Sequence, residues 1–113
     1  YFRELRNSIA AISPFGFGEI CYRDFEIMIC GALMVKQDMS HLETWPNFWI
    51  PGETYLPFAW DYSDIDACVE RVRREPRQCS DMAATAQQRY RSSLNAREGR
   101  AAFCERFASI VTE

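Results

Sequence analysis

The chain has 113 residues, 48% hydrophobic and 26% charged, with a formal net charge of −3. This length is enough for one domain with one core, and the ordinary globular composition excludes a disordered or fibrous class. All but one of the 13 basic residues are arginines. They form no basic stripe along the sequence, so nucleic acid is not expected as a partner.

The cysteines and the hydropathy pattern bear on the compartment. Five cysteines are present, without any Cys-x-x-Cys pair, and most fall on apolar positions of predicted helices. We therefore expect small buried thiols in a reduced, cytoplasmic protein. No signal peptide or membrane-spanning run is visible. Because Tyr1 lies inside a predicted amphipathic helix, we expect a fragment of a longer protein or a truncated reading frame.

The first predicted elements are a short helix and a strand. Phe2 and Leu5 repeat at helical spacing, and the apolar run 9–12 has the length of a strand buried on both faces. Pro14 ends this strand because proline lacks the amide that a central ladder uses.

A helix and a second strand follow the glycine-rich turn. The helix is predicted from Gly18 or Glu19 to Cys30, with Gly31 in the left-handed conformation that closes helices. The apolar run 32–35 predicts a buried strand, parallel to the first because a helix connects the two.

A long polar and aromatic loop is predicted over 38–53, and its large aromatics argue against disorder. A third strand is predicted over 54–60, where Pro57 favours an edge position.

Three helices are predicted to complete the chain. Ser63 and Asp66 resemble a capping pair for the first, Pro76 ends it, and Asn95 or Gly99 separates the second from the third. The apolar residues of the third are Phe103, Phe107, Ile110 and Val111.

Together these elements predict an α/β fold, a Rossmann-like three-layer parallel sheet followed by C-terminal helices. We expect a single partial domain over 1–113, with a β-α-β core over about 8–60 and helices over about 63–112.

The glycine turn is the first candidate for chemistry. Gly16 and Gly18 would let backbone amides approach a phosphate, and the helix that follows would direct its positive end to the same place. The alternative is a plain strand-to-helix turn, since a G-x-G motif gains specificity only from its context.

Three charged residues of the predicted helix share one face, namely Glu19, Arg23 and Glu26. The common meaning of this pattern is a solvated ladder of ion pairs. Glu26, however, lies between Phe25 and Ile27, where an unpaired carboxylate would be costly. This favours a Glu26 that accepts hydrogen bonds from sugar or ribose hydroxyls.

His41, the single histidine, is a candidate loop contact. It would either donate to a phosphate or sugar hydroxyl, or have a structural role as a cap or in packing against Trp45. Without paired cysteines it does not make a structural zinc site, so neither a metal nor a cofactor is predicted.

The segment from Ser13 to Gly31, with the pattern Arg23-x-Phe25-Glu26-x-x-x-Cys30-Gly31, carries a resemblance to a known family. It resembles the donor-site signature in the C-terminal domain of group 1 glycosyltransferases with the GT-B architecture. The resemblance continues through 36–46, 51–55 and 61–64, and so covers nearly the whole chain.

The resemblance implies specific roles. Glu26 would bind the ribose of a nucleotide-sugar, the glycine turn and helix N-terminus would hold the diphosphate, and Arg23 would stabilise the charge of the departing diphosphate. The implied donor-binding residues are Gly16, Phe17, Gly18, Glu19, Phe25 and Glu26.

One position departs from the family pattern. Many members place a glutamate that contacts the donor sugar eight residues before the ribose glutamate, where this chain has Gly18. Glu19 comes one residue later, a rotation of about 100° on a helix. Either Glu19 replaces that glutamate through an altered turn, or the sugar contact is lost.

The resemblance implies transfer of a glycosyl group from a nucleotide-sugar to an acceptor, without a required metal. GT-B enzymes work between two domains, so this chain would lack the N-terminal acceptor domain and be inactive alone. Two alternatives stay open. The first is a non-catalytic flavodoxin-like module that binds a nucleotide or a partner. The second is a fragment that associates with itself through an exposed sheet edge.

Overall fold

The computed structural model describes residues 1–95 and 97–112, which form an α/β fold. In chain order the elements are α1 (Phe2–Arg6), β1 (Ala10–Ile12), α2 (Tyr22–Cys30), β2 (Leu33–Gln37), β3 (Tyr55–Phe58), α3 (Ile65–Arg74), α4 (Pro76–Ser93) and α5 (Glu98–Val111). The three strands form one parallel sheet in the order β1-β2-β3. This arrangement confirms the predicted α/β class and is compatible with a Rossmann-like fold. Across the described ranges, no helix combines the length and the apolar character that crossing a membrane requires.

The sheet register alternates side chains between two hydrophobic clusters. Leu33 of β2 lies opposite Ala10 of β1, and Met34 of β2 lies opposite Tyr55 of β3. Successive side chains of a strand point to opposite faces. Leu33 and Val35 accordingly contribute to one cluster and Met34 to the other.

Helices cover both faces of the sheet. One cluster joins the sheet to α1, α2 and the loop before β3, and its principal members are Leu5, Ile27, Met28, Met34, Phe48, Trp49 and Tyr55. The other joins it to α3 and α4, with Leu33, Val35, Leu56, Phe58, Cys68, Cys79, Met82 and Ala83. The loop predicted over 38–53 is therefore ordered, because two of its aromatics belong to the core.

Helix α4 links the two layers at the amino end of β2. Met82 belongs to one cluster and Ala86 to the other. The Gln87 side-chain amide donates to the Ile29 carbonyl near the end of α2, at 2.9 Å. Gly31, just beyond that helix end, has φ 77°, which confirms the predicted left-handed cap.

The prediction for β1 is wrong in one respect. Ile9 and Ile12 are 50% and 44% exposed, and β1 is an edge strand rather than one buried on both faces. Its apolar run of four residues resembled a central strand, but no further strand covers it in the described chain. At the other edge, β3 contains Pro57, as predicted.

Several helix boundaries also differ from prediction. Helix α2 begins at Tyr22, later than predicted, with Cys21 as its N-cap. Ser63 is not the cap of α3, since Asp64 takes that position and accepts a hydrogen bond from the Ala59 amide at 2.7 Å. Pro76 separates α3 from α4, as predicted, and is the first residue of α4.

The sequence left open whether Asn95 or Gly99 separates the last two helices. Asn95 separates the helices, and its side-chain oxygen accepts hydrogen bonds from the amides of Arg97 and Glu98. Gly99 lies inside α5, where a Cβ atom would come within 2.2 Å of the Ser93 carbonyl oxygen. Glycine is therefore required there by the close approach of the two chain segments.

The prediction that the cysteines are buried is correct for some of them and wrong for others. Cys68 and Cys79 are buried, and burial raises the pKa of both thiols. Cys104 is exposed, contrary to the prediction, because the face of α5 that carries it is not covered.

Candidate functional site at the carboxyl edge of the sheet

The glycine turn 14–20 is attached to the carboxyl ends of the neighbouring strands. The Phe15 amide donates to Oε1 of Gln37, the last residue of β2, at 2.9 Å. The Phe15 ring packs edge-to-face on Trp60, just beyond β3, with centroids 5.4 Å apart. The turn therefore lies at the edge of a parallel sheet where ligands commonly bind.

The two glycines of the turn are not required by the packing of the chain itself. A Cβ atom at Gly16 would meet nothing within 4 Å, and one at Gly18 only the Ile20 carbonyl oxygen at 3.9 Å. Neither glycine has a positive φ. Phe17 between them is fully exposed. The backbone of the turn is thus open to an external group.

Glu19 and His41, predicted as separate candidates, are neighbours. The Glu19 carboxylate lies 3.7 Å from His41 Nε2. His41 packs against Trp60, with centroids 5.5 Å apart, whereas the packing alternative had placed it against Trp45. Glu19 precedes the start of α2, so the prediction that it shares a helical face with Arg23 is wrong.

Arg23 and Glu26 lie on α2. The Tyr1 hydroxyl donates to the Glu26 carboxylate at 2.8 Å, and this hydrogen bond raises the pKa of Tyr1. Arg23 is exposed and acts in the opposite direction on the same pKa. Glu26 is only partly buried and already accepts a hydrogen bond from a hydroxyl group.

Phe25 belongs to an aromatic cluster rather than to the glycine turn. Its ring lies 6.2 Å from that of Phe48, 6.0 Å from Trp49 and 5.7 Å from Tyr90. The structure therefore brings Gly16, Phe17, Gly18, Glu19 and His41 to one edge, and directs Phe25 toward the loop and α4.

A buried polar cluster that was not predicted from the sequence lies beneath the turn. Asp24 is 0% exposed, and its carboxylate accepts a hydrogen bond from the Ser13 hydroxyl at 2.5 Å. Lys36, 1% exposed, places its ammonium 3.3 Å from the same carboxylate oxygen and donates to the Ser13 carbonyl at 3.3 Å. The Cys21 amide also faces this carboxylate, at 3.4 Å.

This cluster fixes three segments relative to one another. Ser13 directly follows β1, Asp24 lies in the first turn of α2, and Lys36 is part of β2. An acidic group there is also favoured by the positive end of the helix dipole. The cluster therefore positions both ends of the glycine turn.

A signal for Asp24 exists in the sequence. Residues three and four positions away on a helix share a face, and for Asp24 all four of these are apolar: Ile20, Cys21, Ile27 and Met28. The immediate sequence neighbours of Glu26, by contrast, point in other directions on a helix and do not report its burial.

The loop that follows β2 carries a further carboxylate at this edge. Hydrogen bonds from the side chain and backbone of Ser40 hold the pKa of Asp38 below its ordinary value. The Trp60 indole donates to the Asp38 carbonyl at 2.9 Å. Among residues 1–95 and 97–112, no group of three or more His, Cys, Asp and Glu is placed to hold a metal ion.

Comparison of the chain with protein-family models, curated proteins and solved structures gives no match.

Proposed function

We propose that the chain is the latter part of the nucleotide-sugar donor-binding domain of a group 1 glycosyltransferase with the GT-B architecture. The observation that carries the proposal is the open glycine turn at the carboxyl edge of a parallel sheet, next to the start of α2. Backbone amides and a helix N-terminus are suited to bind phosphate groups. The resemblance over 13–31 supplies the class of donor.

In this proposal the donor lies across the turn. The Gly16 amide already donates to the Gly18 carbonyl at 3.3 Å. The amides of Phe17 and Gly18 therefore hold the diphosphate, and Arg23 stabilises its charge as it departs. Glu19, beside His41, takes the sugar contact that Gly18 cannot make. The Glu19 carboxylate is 39% exposed and lies 3.7 Å from His41 Nε2, so a carboxylate is available for this contact.

Glu26 is the proposed ribose ligand. The Tyr1 hydroxyl, 2.8 Å from its carboxylate, supplies the kind of hydrogen bond that a ribose hydroxyl would supply. The nucleotide would then take the place of Tyr1 at this carboxylate.

Transfer would require the N-terminal acceptor domain, so the chain alone is expected to bind donor without turnover. No metal or other cofactor takes part in the proposed reaction. The free cysteines support a cytoplasmic location, where thiols stay reduced.

A second candidate function is a flavodoxin-like module that binds a nucleotide, or a partner, without turnover. It is favoured by Gly18, which lacks the carboxylate of the family pattern, and by Tyr1, which already engages Glu26. If Glu19 contacts the sugar, the donor site is expected to bind the nucleotide-sugar more tightly than the nucleotide diphosphate, whereas a nucleotide module is not expected to distinguish them.

The test is an NMR titration of the 15N-labelled chain with UDP, GDP and ADP, their glucose derivatives, and the matching nucleosides. One diphosphate is expected to shift the amides of residues 15–18, and its nucleoside is not. Glu26→Gln should weaken binding about tenfold or more, the scale of a hydrogen bond to a charged group. The control Glu105→Gln, at an exposed position of α5, should change nothing.

The outcomes separate the candidates. Unperturbed turn amides with every nucleotide would overturn both nucleotide-binding proposals. Equal affinity for a nucleotide diphosphate and its sugar derivative would favour the second candidate.

We also propose that the free edge of β1 supports self-association. Edge strands present unpaired backbone groups, and Ile9 and Ile12 are exposed beside them. Sedimentation velocity should show a concentration-dependent dimer that Ile12→Lys dissociates. A monomer at all concentrations would contradict this proposal.

A further inference from the structure

A mainly apolar cavity of about 390 Å³ lies away from the glycine turn, between α2, α4, α5 and the loop before β3. Aromatic side chains form most of its wall: Phe25, Trp45, Phe48, Tyr90 and Phe103. This volume and this lining are within the range of small-molecule sites. The cavity is independent of the proposed donor site.

A second cavity, of about 420 Å³, adjoins the first and is more polar. Trp45 and Phe103 line both cavities, and Glu43 and Arg106 line only the second. The two cavities therefore meet at Trp45 and Phe103, and we call them together the cleft, with an aromatic interior and a charged mouth.

Arg106 is the distinctive group of the mouth. Its side chain is 41% exposed, but its Nε atom is buried and has no hydrogen-bond partner in the described part of the chain. Its Nη2 atom lies 3.8 Å from the carboxylate of Glu43, whose side chain is 92% exposed. Nε and Nη2 lie along one edge of the guanidinium, which is the edge that binds a carboxylate through two parallel hydrogen bonds.

A buried donor without a partner is costly, and a weak contact with an exposed glutamate does not satisfy it. A carboxylate entering at the mouth would satisfy Nε and displace Glu43. The adjoining rings would bury the body of the same molecule, with aromatic bodies favoured by edge-to-face contacts.

We propose that this cleft binds a small aromatic monocarboxylic acid, with its ring system among Phe25, Trp45, Phe48 and Phe103 and its carboxylate on Arg106. The inference goes beyond the proposed donor function and does not depend on it.

The test uses 2-naphthoate as the probe and 2-naphthamide as its neutral counterpart, by isothermal titration calorimetry on the full chain. We expect 1:1 binding of 2-naphthoate, and about tenfold or more weaker binding of 2-naphthamide because the charged hydrogen bonds are lost. An NMR titration should shift the amides around Tyr90 and Phe103 and leave those of 15–18 unchanged.

Four variants distinguish loss of the carboxylate contact from a general effect on the structure of the cleft. Arg106→Gln should weaken 2-naphthoate about tenfold and leave 2-naphthamide unchanged, whereas Arg100→Gln, on the same helix, should alter neither. Glu43→Gln removes the same ion pair as Arg106→Gln, yet should keep or increase the affinity for 2-naphthoate. Phe103→Ala should weaken both compounds.

Three results would overturn the proposal. They are absence of 2-naphthoate binding, equal affinity for the acid and the amide, and equal weakening by Glu43→Gln and Arg106→Gln. The comparison of the acid with the amide uses the unmodified chain. It therefore tests the contribution of the carboxylate even if a variant fails to fold.

Discussion

The carboxyl edge of the sheet buries charged side chains, whereas the α5 end of the molecule exposes apolar ones. At the edge, Asp24 and Lys36 are almost completely buried. At the other end, α5 leaves Phe103, Phe107 and Ile110 more than half exposed. Charged residues are rarely buried unless paired, and contiguous apolar exposure marks an interaction surface.

The two regions differ in whether their polar and apolar groups have partners within the chain. Asp24 has internal partners, namely Ser13, Lys36 and Cys21, so the polar cluster is complete within the chain. The apolar residues of α5 have few internal neighbours, and Arg106 beside them has an unsatisfied donor. The polar groups of the edge are thus satisfied within the chain, whereas the α5 end keeps exposed apolar side chains and an unsatisfied donor, which is why we propose an external ligand there.

The largest expected effect comes from breaking the buried ion pair. Lys36→Met should lower the free energy of unfolding by about 3–5 kcal/mol, because Asp24 would keep a buried charge without its partner. Urea denaturation followed by circular dichroism measures this loss. The double variant Asp24→Leu/Lys36→Met should recover most of it. Losses that simply add would contradict a coupled pair.

A smaller loss is expected from a buried hydroxyl in the loop that supports the aromatic cavity. The Thr54 hydroxyl donates to the Phe48 carbonyl at 2.6 Å and accepts from the Ile50 amide at 2.8 Å. Thr54→Val should cost about 1–3 kcal/mol by leaving these groups unsatisfied. The matched change Thr85→Val, at an exposed hydroxyl of α4, should stay within about 0.5 kcal/mol. Equal effects would show that burial does not decide the cost.

Acid should weaken the carboxyl edge specifically. The folded-state pKa of Asp38 lies below its ordinary value of 3.8, so the stabilisation is complete above that pH and is lost as the pH falls through the folded-state pKa. Asp38→Asn should remove this contribution. The stability difference between the two proteins should persist from pH 7 to about pH 5 and shrink as the pH falls through the folded-state pKa of Asp38. A difference that grows on acidification would reverse the assigned sign.

The smallest effect is expected on the exposed face of α5. Phe107→Ser should change the free energy of unfolding by no more than about 0.5 kcal/mol, since its ring is 56% exposed and stacks on Phe103. Phe58→Ala in the core should cost about 3–5 kcal/mol in the same assay. A large loss at Phe107 would place α5 in the folding core and weaken the contrast between the regions.

The order and type of the main elements follow from sequence periodicity because each depends on local patterns. Some features follow from the backbone chemistry of a single residue. Examples are the end of α2 at Gly31, the edge strand that contains Pro57, and the break between two helices at Pro76. Such features need no knowledge of distant contacts.

The features that the sequence did not predict depend on contacts between segments that are distant in sequence. Asp24 is buried only because Ser13 and Lys36 come from two different strands. The start of α2 was misplaced because cysteine is not a usual N-cap residue. The exposure of β1 depends on its place at the sheet edge, which an apolar run does not encode. The Glu19–His41 pair likewise arises from two loops that the sheet brings together.

The tryptophans are distributed so that each marks a different environment. Trp60 lies at the carboxyl edge with its indole donating to the Asp38 carbonyl, Trp49 is buried in the core, and Trp45 borders the aromatic cavity. The chain thus contains three intrinsic optical probes, one for each site and one for the core between them. Variants that keep a single indole would let emission spectra follow the two sites and the core separately as the chain unfolds.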